Sequence, residues 1–149
     1  MSTFAEPAVV ALCLRRIGRL KPDAPAKWGR MNAHQMVCHL SDSFRVGLGE
    51  RPAGSMANPV TRTLVKWVAL NTSISWPHGA KTMPEVEQGR GGTPPAEWSH
   101  DVTELQTLID RFAKSKTFGV HPFFGKMSER HWLIWGYRHT DHHLRQFGV

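Results

Sequence analysis

A chain of 149 residues that is 40% hydrophobic and 21% charged has the length of one globular domain with a substantial core, and 1–149 is read as a single domain. Nineteen Lys and Arg against twelve Asp and Glu leave +7 at neutral pH, which favours anionic ligands, nucleic acid or acidic surfaces without choosing among them. Cys13 and Cys38 are too few for a disulfide framework, Glu6 stands where a leader peptide would be basic, and no stretch reaches the roughly eighteen apolar residues of a membrane span, so a soluble, cytoplasmic protein with reduced thiols is expected.

The first periodic stretch runs from Ala8 to Leu20, with Val10, Cys13, Leu14 and Ile17 on one side and Arg15, Arg16 and Arg19 on the other, the pattern of an amphipathic helix. Lys21-Pro22-Asp23-Ala24-Pro25 ends it in an extended connection. Asn32 and Gln35 then form a variant capping box for a second helix, whose stripe is Val37, Leu40, Phe44 and Leu48 and whose end is marked by Gly47 and Gly49. Val60 to Asn71, with Leu64, Val65, Trp67, Val68 and Leu70, predicts a short third helix that is apolar over much of its circumference.

From Asn71 to Pro95 the pattern lapses into a loop long enough to need an explanation, such as shaping or closing over a pocket. The period returns from Ala96, with Trp98, Val102, Leu105, Leu108, Ile109 and Phe112 on one face. A connector over Thr117 to Lys126 is too apolar to be solvated, and Ser128 caps a last helix that reaches about Phe147 and closes at Gly148. No segment alternates as a strand would. The expectation is therefore all-α: an antiparallel four-helix bundle with an additional short helix and a long loop.

Nine histidines, three of them within the last eleven positions, are the compositional anomaly. His139 and His143 lie four apart, and with Trp132, Trp135 and Gln146 they fall within a strip about 80° wide on the last helix, facing the interior. Two buried imidazoles need partners, which hydrogen bonds or a metal ion can supply. A third ligand would come from another helix, and His39 is the candidate, at the edge of the second helix's buried stripe. The bland reading is a core histidine bonded to Asp42 or a backbone carbonyl. His34 reads as a first-turn solvent residue, and Cys38 as packing. His78, His100, His121 and His131, in loops or at helix starts, are given no role.

The ending Tyr137-Arg138-His139-Thr140-Asp141-His142-His143-Leu144-Arg145-Gln146 resembles the C-terminal signature of the DinB-like (YfiT-like) superfamily of helical bundles. The segment from Met31 to Asp42 is similar to that superfamily's second-helix motif. The loop around Trp76-Pro77-His78-Gly79 and the run His121-Pro122-Phe123-Phe124-Gly125 resemble a branch of it labelled only as a domain of unknown function. The resemblance covers most of the chain from Pro22 onward and implies the metal triad His39, His139 and His143.

Three imidazoles leave a tetrahedral ion one open position, as catalytic rather than structural zinc sites do; Zn²⁺ is expected first, with Ni²⁺ or Fe²⁺ as alternatives. Asp42, His142 and Gln146 are candidates for orienting the ligands, and Trp76, Lys81, Trp135 and Arg138 for contacting substrate. Superfamily members include thiol-dependent S-transferases and metal-dependent hydrolases. The resemblance thus implies an ion that activates a bound thiol or water toward a small, anionic substrate, with a low-molecular-weight thiol as cosubstrate. The competing class is a non-catalytic metal-binding or basic module for ligand or nucleic acid, against which the scattered basic residues argue. A homodimer through the helix near Trp67 is a further expectation.

Overall fold

Four amphipathic segments have one face that only another helix can cover, and the arrangement follows from how those faces are shared. The computed structural model describes residues 1–79 and 82–149, and the described residues form five helices and no strand. Helix α1 spans Pro7–Arg19 and starts on a proline whose missing N–H is not needed there. Helix α2, Ala33–Gly47, opens with the expected capping box, both halves of which form between Asn32 and Gln35. Helix α3 begins as a π-turn over Thr61–Val65 and continues as α-helix through Lys66–Asn71. Helices α4, Trp98–Lys114, and α5, Glu129–Gln146, complete the set; Ser128 caps α5 through the His131 N–H.

Helix α2 packs against α4 and α5, and α1 packs against the same two, while α1 and α2 do not meet among the described residues. Phe112 of α4 lies at the centre, its ring 4.8 Å from that of Phe44 and 6.1 Å from those of Trp132 and Trp135. Two glycines admit it: a Cβ on Gly47 would stand 2.7 Å from the Phe112 ring and one on Gly136 2.8 Å. Each large side chain buried here contributes about 1.5–3 kcal/mol through lost apolar surface.

The third helix forms where it was expected, and two other expectations change. Helix α3 buries only Leu70 and leaves Val60, Leu64, Val65 and Trp67 exposed, because only α5, of the four long helices, reaches it. The long loop is partly ordered by a 3₁₀ turn at Pro84–Val86, which packs on α2. His121, given no role from sequence, is buried: its Nδ1 accepts the N–H groups of Phe123 and Phe124, closing a tight turn bridged to Gly125. No described helix is long and apolar enough to cross a membrane.

Candidate metal centre

Helix α2 brings His39, and α5 brings His139 and His143, to one buried point where the two helices meet. The Nε2 atom of His139 lies 3.4 Å from that of His39 and 3.2 Å from that of His143. Zinc–imidazole bonds of about 2.0–2.1 Å in tetrahedral geometry require nitrogens about 3.3–3.4 Å apart, so these two spacings suit one small divalent ion.

The outer nitrogens settle where the protons are. His39 Nδ1–H donates to the Val86 carbonyl at 2.9 Å, and since a carbonyl only accepts, the Nε2 of a neutral His39 is a bare lone pair. Gln146 Nε2 donates to the Trp28 carbonyl at 2.6 Å, which turns Gln146 Oε1 toward His143 Nδ1–H at 2.8 Å and leaves His143 Nε2 likewise bare. Burial pushes the pKa of all three imidazoles below the ordinary histidine value, and repulsion among them lowers those of His139 and His143 further, so the cluster is neutral at pH 7.

His139 then has one proton for two facing lone pairs, and its own Nδ1 is buried without a partner. Either placement of that proton leaves a buried nitrogen unpaired, a cost that a cation at the point of convergence removes from the Nε2 side. Nitrogen donors of this kind suit Zn²⁺, Ni²⁺ and Fe²⁺.

The loop and the connector after α1 hold these outer partners in place. Asp42 is fully buried, and His39 Nδ1 is bonded to the Val86 carbonyl rather than to its carboxylate, whose charge only partly offsets the burial of the imidazole. That carboxylate accepts the Thr93 N–H at 2.6 Å and hydroxyl at 2.7 Å and pairs with Arg51 at 3.1 Å and Arg45 at 3.3 Å. Arg51 in turn donates to the carbonyls of Glu85 and Gly91, so Asp42 fixes the turn that presents Val86 rather than the imidazole itself. On the other side, Gly29 has φ +80°, and a Cβ there would stand 2.7 Å from Gln146 Nε2; glycine lets the Trp28 carbonyl reach that amide.

The remaining sequence candidates separate. His142 lies outside the triad, half-buried, and Trp76 stands 6.1 Å from the His139 ring and 6.3 Å from the His142 ring. Trp135, expected to contact substrate, is buried behind His139 at 4.8 Å and belongs to the core. Arg138, also expected to contact substrate, donates instead to the carbonyls of Thr72 and Ile74 and lies over the Trp76 ring, bracing the loop. Lys81 lies outside the described residues. His34 is no free solvent residue: it pairs with Asp101 at 2.7 Å beside Cys38, and these three form a second group with ligand-type atoms within 4.8 Å of one another.

A family model described as "Protein of unknown function (DUF1569)" matches residues 10–148. The chain belongs to that family. No curated protein and no solved structure matches it. The span matched in this DUF1569 chain includes all three histidines and every partner described for them. Sequence reading offered a backbone carbonyl for His39 without identifying Val86, and it missed the Trp28 carbonyl and the Arg51–Thr93 clamp. Backbone acceptors leave no residue-type signal, and Arg51 is 42 positions from Thr93.

Proposed function

We propose that this DUF1569 chain is a DinB-like metal-dependent enzyme, an antiparallel four-helix bundle in which His39, His139 and His143 hold a divalent ion, zinc first, for thiol transfer to a small electrophile. The convergence of the three Nε2 atoms, two of them held as bare lone pairs by Val86 and Gln146, carries this reading. A divalent ion there would act as a Lewis acid that stabilises a thiolate at neutral pH.

In the transfer, the thiol sulfur bonds to an electrophilic carbon, the leaving group departs with the bonding pair, and the thiol proton passes to solvent. The chain's own residues hold the ligand tautomers, and Trp135 backs the site with apolar surface that excludes water. The buried carboxylate near His39 among the described residues, that of Asp42, is occupied by Thr93 and two arginines, so it serves position rather than proton transfer.

The test is conjugation of glutathione or cysteine to 1-chloro-2,4-dinitrobenzene by zinc- and nickel-loaded protein. Metal-dependent conjugation above the uncatalysed rate, abolished in a folded His39→Ala variant, is expected. Equal rates in both proteins, or no acceleration with either thiol, would overturn thiol transfer. Metal-dependent cleavage of p-nitrophenyl acetate in its place would mark a hydrolase, and salt-sensitive DNA retention without metal a basic binding module.

A further inference from the structure

Beside the triad, the connector after α1, the segment after α3 and the last turns of α5 enclose an open cavity of about 350 Å³, lined by Lys27, Trp28, Trp76, His78, His142 and Arg145. Its volume falls at the small end of the range for small-molecule sites, enough for a body of one or two fused rings. The walls are flat: Trp28 and His78 stack at 3.9 Å with their planes 7° apart, and His142 stands edge-on to Trp28 at 5.6 Å. Trp76 is shared, lining the cavity and lying 6.1 Å from the His139 ring.

Aromatic walls alone would suit a cation as well as a neutral ring. The charges around them decide between these ligands. Lys27 and Arg145 line the cavity, and Arg138 lies 5.6 Å from the Trp76 ring. Asp141, a carboxylate on this side, is shared between Arg16 at 2.7 Å and Arg145 at 2.9 Å, so the field at the opening is positive.

We infer that this cavity takes a small anion with a flat apolar body, an aromatic carboxylate or sulfonate, lying against Trp28 and Trp76 with its charge toward Lys27 and Arg145. Binding needs no metal. That such an anion is the molecule acted on, its reactive end directed past Trp76 to the triad, rests on the proposed metal-dependent function.

The probe is naphthalene-2-sulfonate, followed through the indole N–H resonances of the full chain, with neutral 2-naphthol and ring-free methanesulfonate as comparisons. The sulfonate should shift the Trp28 and Trp76 resonances and bind at least about tenfold more tightly than either comparison. Lys27→Glu with Arg145→Glu should weaken it by about tenfold or more, because the attraction becomes repulsion, while Trp67→Ala on the exposed α3 face should not. Equal binding of 2-naphthol, indifference to the charge reversal, or shifts confined to Trp67 would overturn the inference. Binding that survives in a His143→Ala chain supports the cavity independently of the ion, and a wild type that binds the sulfonate but never takes up metal counts against the metal reading alone. A metal-loaded wild type that ignores the sulfonate does the reverse.

Discussion

Acidifying the metal-free protein from about pH 7 to about pH 4 is expected to remove about 3 kcal/mol of folding stability through His121 alone. Burial, with Lys66 nearby, pushes the His121 pKa from the ordinary histidine value down to about 3. A folded-state pKa depressed in this way means that the unfolded chain takes up the proton first. The stabilisation is complete above about pH 6.5 and is lost progressively as pH falls toward the folded value. His39, His139 and His143 are shifted in the same direction and add to the loss.

Urea titrations at three pH values measure the slope. His121→Asn keeps an acceptor for the turn while removing the titration, and should flatten it. Zinc should move the share of the loss that comes from the triad to lower pH, because the ion competes with protons for the three Nε2 atoms, and leave the His121 share in place. Equal stability at pH 7 and pH 4 without metal would contradict the burial of neutral imidazoles.

The second large effect is expected at Asp42. Asp42→Ala removes a fully buried carboxylate that accepts two hydrogen bonds from Thr93 and faces two partly buried guanidiniums, and should cost about 3–5 kcal/mol. Asp42→Asn keeps part of the hydrogen bonding and should cost less. Since Asp42 and Arg51 hold the turn that carries Val86, both variants should also weaken metal binding, read by competition with a chromophoric chelator. A chain with Asp42→Ala as stable as the wild type would show that Thr93 and the arginines do not depend on the carboxylate.

What could be read in advance follows from where the information lies in the chain. Helices α1, α2, α4 and α5 have local signals, a 3.6-residue stripe and a cap, and their extents emerged within a residue or two. The pairing of His139 with His143 is a matter of helix geometry and was equally legible. Bringing His39 to them is a tertiary fact: its place at the edge of a buried stripe made it the candidate and the resemblance implied it, but the meeting of the two helices lies beyond periodicity.

The contacts that local pattern did not foretell have the same origin. His34 looked solvated until α4 placed Asp101 against it, and His121 looked incidental until its own turn folded around its ring. Arg138 and Trp135 were named for chemistry suited to substrate, and only the packing shows that Arg138 donates to the carbonyls of Thr72 and Ile74 and that Trp135 is buried in the core. Of the two partners offered for His39, Asp42 or a backbone carbonyl, the structure has the carbonyl, and Asp42, one turn away on the helix, reaches that carbonyl's segment through a loop some fifty residues away.

The most direct measurement is elemental analysis of untagged protein, purified without a metal column, for the wild type and a folded His143→Ala variant. The account predicts about one zinc or other divalent ion per wild-type chain and a small fraction of that in the variant. A wild type that holds no metal even after incubation with Zn²⁺ or Ni²⁺, or a variant that keeps the full complement, would contradict it.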